Sequence, residues 1–286
     1  MALKASSSVM SMQNSDQGAY IRRIVDTEIN LVSFSLAQPV IMQTIVNKKN
    51  EIIMTNLLLS SRLKAVNERI IASAGASGRP IHEVRLLAVS KTKPLEQLEQ
   101  AYQAGQRHFA ENYAQEAVEK RTSWPHSGCE WHFIGPLQSN KTRAIAEHYD
   151  WVHTVDRFKI AKRLNDQRPS KRAPLKVLIQ VNISNDPAKS GVLTEEVYAL
   201  AKQLLTLPAL EFKGLMTITA ANLSKDDLKA QFLQLKSLRD TLIQDFSSCT
   251  ELSMGMSADF ELAIECGATM VRVGSEIFGA RPTTTE

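Results

Sequence analysis

Three observations predict a single (β/α)8 barrel of the TIM type, with an opening helix and a poorly ordered N-terminal extension. Eight short apolar runs recur along the chain from residue 86 onward. Amphipathic stretches with helical spacing separate them. The runs are apolar on both faces, as strands of a parallel sheet covered by helices must be. Eight β/α units in the 233 residues from Met54 onward fit one barrel, for which about 250 residues is typical. A doubly wound open sheet is the second choice. It usually has fewer strands, and no Gly-x-Gly-x-x-Gly follows the first run.

Residues 1–53 form the expected extension. "MALKASSSVMSMQNSDQ" is small and polar, and "INLVSFSLAQPVIMQTIV" is apolar but aperiodic and interrupted by Pro39. A secretory signal would open on a basic stretch and an apolar core. Asp16, Asp26 and Glu28 also argue against an organelle transit peptide. The segment reads as an extension, or as the product of a start codon set too far upstream, since Met54 could itself begin a complete protein. The barrel is therefore assigned to 54–286.

The opening helix is "NLLLSSRLKAVNERIIASA", within 54–74, with apolar residues at helical spacing. The strands follow as "LLAVS" (86–90), "HFAEN" (108–112), "WHFIG" (131–135), "WVHTV" (151–155), "KVLIQVN" (176–182), "FKGLMTI" (212–218), "ELSMG" (251–255) and "MVRVGS" (270–275). Helical patterns between them include "PLEQLEQAYQAG", "NKTRAIAEHY", "TEEVYALAKQLLTL" and "DLKAQFLQLKSLRDTLIQDF".

Composition excludes several classes. A net charge of +4 is too weak to argue for nucleic acid. No apolar run reaches the roughly 18 residues of a membrane span. Cys129, Cys249 and Cys266 have neither metal-ligand spacing nor the even count of a disulfide framework. A reducing, cytoplasmic setting is expected. His126 and His132 lack a zinc pattern, so no metal site is expected.

In such barrels the functional groups sit at the C-terminal ends of the strands. Lys91 ends the first run, and alternation puts Leu87, Val89 and Lys91 on one face. If that face points inward, the ammonium enters a partly desolvated mouth. Burial favours its neutral form, and a neutral amine can form a Schiff base with an aldehyde. Taken alone, Lys91 reads better as a solvated residue opening a loop, since lysines are common there. The last two strands tilt the balance. "LSMGMSADFE" places Ser253 and Ser257 around Gly255, before a helix expected from about Ala258; "VRVGSEIFGAR" ends on Gly274 and Ser275. Hydroxyls, glycines and free backbone N–H groups on adjacent loops suit a phosphate, which barrels often bind after strands 7 and 8. Ser257 would also serve as a helix cap. Arg272 sits mid-strand, where an unpaired charge is costly. It reads as paired to Glu111 or Glu276, or as the partner of a pyridine nitrogen in pyridoxal phosphate.

The segments "LLAVSKTKP", "AGQRHFAENYAQE", "WHFIGPLQSNK", "VHTVDR", "LIQVNIS", "KSGV", "GLMTI", "LSMGMSADFELAI" and "GATMVRVGSEIFGAR" together resemble the pyridoxal phosphate homeostasis protein family, in order, from about Met54 to Arg281. The resemblance implies a barrel like the N-terminal domain of alanine racemase, with pyridoxal 5'-phosphate, the vitamin B6 cofactor, held on Lys91. It implies phosphate contacts from Ser253, Ser257, Gly274 and Ser275, and places Asn112, Met216 and Arg272 near the ring.

Racemases of this type need two bases, the second from a separate β-domain across a dimer interface. The chain ends eleven residues after Ser275, so that domain is not expected. Lys91 supplies one base; Tyr113 is the nearest second candidate and is expected to pack instead. The leading expectation is therefore a monomeric, non-catalytic protein that stores, buffers or delivers the cofactor, with apo-enzymes as recipients. An amino-acid racemase or a Schiff-base aldolase is the alternative. Lys189, in "NDPAKSGV" after the fifth strand, is expected on the same barrel face as Lys91, where it could assist release.

Overall fold

The structure is a computed structural model that describes residues 39–220 and 222–280. The expectation of disorder for residues 1–38 lies outside the described residues. The chain divides into two compact units, Met1–Thr55 and Asn56–Glu286. Helix α1 runs over Pro39–Ala76, beginning earlier than the expected 54. Pro39, read as an interruption, stands at the first helical position, where a missing N–H breaks no helical bond. Further along α1, Leu59, Leu63, Val66, Ile70 and Ala74 are buried at three- and four-residue spacing and join the core. Burying one such leucine contributes about 1.5–3 kcal/mol.

The eight expected strands all form. They are β1 (Arg85–Val89), β2 (His108–Glu111), β3 (Glu130–Phe133), β4 (Trp151–Val155), β5 (Leu175–Gln180), β6 (Leu210–Met216), β7 (Glu251–Met256) and β8 (Met270–Val273). Each pairs in parallel with the next, and β8 returns to β1 with Leu87 opposite Arg272, closing the barrel. The helices between them are α2 (Leu95–Gln103), α3 (Ala114–Ser123), α4 (Thr142–His148), α5 (Phe158–Gln167), α6 (Val197–Leu204), α7 (Lys225–Leu242), α8 (Phe260–Glu265) and α9 (Ser275–Phe278). α7 is capped by the Ser224 hydroxyl, which accepts from the Asp227 N–H at 3.1 Å, satisfying a donor that the first turn leaves orphaned.

Two cores result. The larger lies between sheet and helices. The smaller fills the barrel, where Leu87, Ala110, Ile134, Trp151, Leu178, Met216 and Met270 pack together. The strand starts carry ion pairs: Arg85 with Glu251 at 2.5 Å and Lys176 with Glu130 at 2.8 Å. Hydrogen bonding from His108, seconded by Lys176, holds the Glu130 carboxyl down at about 2 against the opposing effect of burial. This polar layer lies at the opposite end of the strands from Lys91. Among the described residues, no helix is long and apolar enough to cross a membrane.

Candidate functional site

A cavity of about 390 Å³ opens at the C-terminal ends of the strands, lined among others by Lys91, Asn112, Ser257, Arg272, Gly274 and Ser275. It falls within the range of small-molecule sites. Leu87 and Val89 pack into the barrel's inner core, so the face shared with Lys91 points inward, as alternation requires. Lys91 is the second residue of a tight turn closed by the Lys93 N–H on the Ser90 carbonyl at 3.0 Å. On the far side of the cavity the Ser275 and Ser257 hydroxyls lie 3.3 Å apart. A Cβ on Gly274 would sit 3.0 Å from the Val89 carbonyl oxygen. Glycine there lets the β8 loop lie directly against β1, so the serines and Lys91 border one cavity.

Arg272 is nearly fully buried, yet neither expected carboxylate meets it. Glu111 accepts from Lys120 at 2.8 Å, and Glu276 is held by Arg69. Arg272 donates instead to the Ser253 hydroxyl at 2.8 Å and to the Thr217 carbonyl at 2.9 Å. Burial lowers its pKa to about 10, so it stays charged at neutral pH. Two of its five N–H donors are accounted for by these bonds, and the side chain lines the cavity. Behind it runs a polar column: Ser253 Oγ to His153 Nδ1 at 2.9 Å, then His153 Nε2 to His132 Nδ1 at 3.0 Å. Burial pushes both imidazoles well below their ordinary pKa, so the column is neutral and only the guanidinium carries charge.

The structure brings six of the eight expected residues to the cavity and leaves two below it. Ser253 is fully buried and its hydroxyl is engaged by Arg272 and His153, so it supports the arginine rather than lining the cavity. Met216 is fully buried in the inner core; Ile218 and Met256 supply the apolar lining instead. Ser257 is not the expected helix cap, because α8 starts at Phe260 with Asp259 at its N-cap position. Tyr113 does not pack; it is about half exposed. Lys93 was missed as a lining residue. Its ammonium donates to the carbonyls of Phe278, Gly279 and Ala280 at 3.0–3.2 Å, tying the β1 turn to the end of α9.

Lys189 lines a second cavity of about 210 Å³ that shares Asn112, Ile134 and Ile218 with the first. Its ammonium nitrogen is buried without a hydrogen-bond partner. At the other end of the strands, His132 meets His108 and Glu130 with ligand atoms within 4.8 Å. Sequence spacing concealed that grouping. Glu130 is already engaged by Lys176, and the Arg85 and Lys176 charges bear on His132, which opposes a dication.

An inward lysine at the end of β1, a serine pair on the β7 and β8 loops and a buried arginine between them define a lysine-bearing barrel suited to a phosphorylated aldehyde. The family described as Alanine racemase, N-terminal domain matches residues 63–282. The chain is 50% identical over 227 residues to the pyridoxal phosphate homeostasis protein of Vibrio alginolyticus, covering 78% of this chain and 97% of that protein. It is 47% identical over 229 residues to the protein of the same name from Escherichia coli K12, again covering 78% and 97%. This chain belongs to the pyridoxal phosphate homeostasis protein family. Among solved structures, PipY of Synechococcus elongatus with PLP bound superposes with a TM-score of 0.67 at 37% identity, covering 77% of this chain and all of that one. Alanine racemase from Corynebacterium glutamicum shares the fold, with a TM-score of 0.62 at 17% identity, covering 81% of this chain and 63% of that enzyme.

Proposed function

We infer that this chain binds pyridoxal 5'-phosphate on Lys91 and serves intracellular homeostasis of that cofactor by storing, buffering or delivering it. The observation that carries the reading is the convergence of Lys91, Arg272, Ser257 and Ser275 on one cavity. The cofactor supplies an aldehyde for an amine to bind and a pyridine ring whose nitrogen can accept a hydrogen bond. Lys91 would hold the aldehyde, and the Ser257 and Ser275 hydroxyls with Gly274 would hold the phosphate. Arg272 would face the ring nitrogen. A guanidinium keeps its proton, so that nitrogen would stay unprotonated and the ring would be a weaker electron sink. Asn112 would border the ring.

The names of the relatives support a homeostatic role over a catalytic one. A racemase needs a second base facing the lysine. Among the described residues that line the cavity there is no tyrosine, histidine or carboxylate, and Lys93 is engaged by backbone carbonyls. We place the protein in the cytoplasm as a monomer, with apo-enzymes as recipients. Lys189, beside the cavity with an unpartnered ammonium, would assist release.

Titration with pyridoxal phosphate tests the reading. A yellow band should appear at stoichiometric cofactor and persist unchanged when amino acids are added. Turnover of an amino acid, or of a sugar phosphate without added cofactor, would overturn it. Transfer to an apo-enzyme should be slower from Lys189→Ala than from the unaltered chain, at equal loading; equal rates would remove Lys189 from the account.

A further inference from the structure

The turn that carries Lys91 is held on both sides by an ionic cluster that does not line the cavity. Before Lys91, the Ser90 hydroxyl donates to Glu111 Oε1 at 2.6 Å, and the Ser90 carbonyl accepts from the Lys120 ammonium at 2.6 Å. After it, the Thr92 N–H donates to Glu116 Oε1 at 2.6 Å. Lys120 joins the two sides, 2.8 Å from Glu111 and 2.6 Å from Glu116. β2 ends on Glu111, and α3 presents Glu116 and Lys120 one helical turn apart.

Two features set this cluster apart from ordinary packing. Lys120 and Glu111 are buried, where a hydrocarbon pair of similar volume would stabilise the fold as well or better. Thr92 has φ +63°, in the left-handed region that a β-branched residue rarely occupies. The third place of a turn with this geometry ordinarily calls for glycine. The bond from the Thr92 N–H to Glu116 therefore opposes a local tendency of the turn to relax.

We propose that Glu116, Lys120 and Glu111 are positioning residues that hold the Ser90–Lys93 turn in the shape presenting Lys91 to the cofactor cavity. The proposal rests on the cofactor reading given above. Releasing Glu116 lets Thr92 return to negative φ by a flip of the peptide that joins it to Lys91, which loosens the Ser90–Lys93 turn so that it no longer holds the Lys91 ammonium at one place in the cavity. The phosphate end of the cavity lies on the β7 and β8 loops and stays as it is.

The test compares Glu116→Ala, Glu116→Gln, Lys120→Met and Thr92→Gly, and the double variant Glu116→Ala with Thr92→Gly. Each is titrated with pyridoxal phosphate by absorption and with inorganic phosphate, and each is melted. Glu116→Ala should weaken pyridoxal phosphate binding about tenfold, on the scale of a left-handed backbone cost, with inorganic phosphate affinity unchanged. Lys120→Met should move in the same direction. Glu116→Gln keeps an acceptor for the Thr92 N–H and should retain most of the affinity. Thr92→Gly accommodates positive φ without the clamp and should restore the Glu116→Ala variant to within about twofold of the unaltered chain. Glu116→Ala that melts earlier yet binds pyridoxal phosphate normally would overturn the proposal, as would a loss that Thr92→Gly fails to restore. An unaltered chain without the yellow band would overturn the cofactor reading itself, and this proposal with it.

Discussion

Replacing Ser253 by alanine separates a supporting role from a ligand role. The hydroxyl accepts from the Arg272 guanidinium at 2.8 Å and bonds His153 Nδ1 at 2.9 Å, with the residue fully buried. Alanine strands both partners where no water shell replaces the loss. A hydrogen bond to a charged group contributes roughly 1.5–3 kcal/mol and one between neutral groups about 0.5–1.5 kcal/mol. Ser253→Ala should therefore destabilise the fold by about 2–4.5 kcal/mol. With a urea m-value of roughly 3 kcal/mol/M, at the upper end for single domains, the midpoint should fall by about 1 M. Ser257→Ala makes the complementary comparison. Its hydroxyl is only partly buried, at the cavity rim, so stability should change by less than about 0.5 kcal/mol. Inorganic phosphate affinity should fall about tenfold or more, the equivalent of one charge-assisted hydrogen bond. The assay is urea unfolding by circular dichroism, paired with a phosphate titration. A Ser253→Ala variant as stable as the unaltered chain but deficient in phosphate binding would refute the reasoning and return Ser253 to the phosphate site.

Three further outcomes follow from the same structure. Lys91→Ala should lose most of the yellow band on adding pyridoxal phosphate while retaining the far-ultraviolet dichroism of a folded barrel; a full chromophore would remove Lys91 from its role. Glu130→Gln should flatten the acid limb of stability. The Glu130 carboxyl is depressed from 4.5 to about 2, so its contribution is present above 4.5 and lost as pH falls through about 2; urea midpoints measured across that window should converge for the two chains at its acid end. A chain starting at Met54 should fold and bind cofactor as the full chain does, since all eight strands lie downstream; insolubility or weakened binding would assign residues 1–53 a structural part.

The strands were legible because both faces of each are buried, so the apolar runs stand out between polar helices. Lys91 was legible because strand alternation and the barrel's polarity together fix where a strand-end side chain goes. Depth along a strand was harder to read. Ser253 and Ser257 share parity, so alternation treats them alike, yet one lies inside the barrel beneath Arg272 and the other at its rim. Met216 and Met256 differ in the same way, since an apolar residue near a strand end reads alike at either depth: Met216 lies in the inner core and Met256 lines the cavity. Pro39 was taken for a break because proline ends helices from within, although it is tolerated in their first turn. The contacts of Lys120 with Glu111 and Ser90 cross elements, and no single-segment pattern records them. Of the two readings for Arg272, the carboxylate pair rested on the general rule for buried charge; in the structure a hydroxyl and a carbonyl accept two of its N–H groups instead.

The central claim is that Lys91 is the residue on which the cofactor is held. Borohydride reduction of the protein loaded with one equivalent of pyridoxal phosphate, followed by proteolysis and peptide mass mapping, tests it directly. The account predicts a pyridoxyl-phosphate adduct on the peptide carrying "LLAVSK", at Lys91. An adduct found chiefly at Lys93, Lys189 or a surface lysine, with Lys91 unmodified, would contradict it.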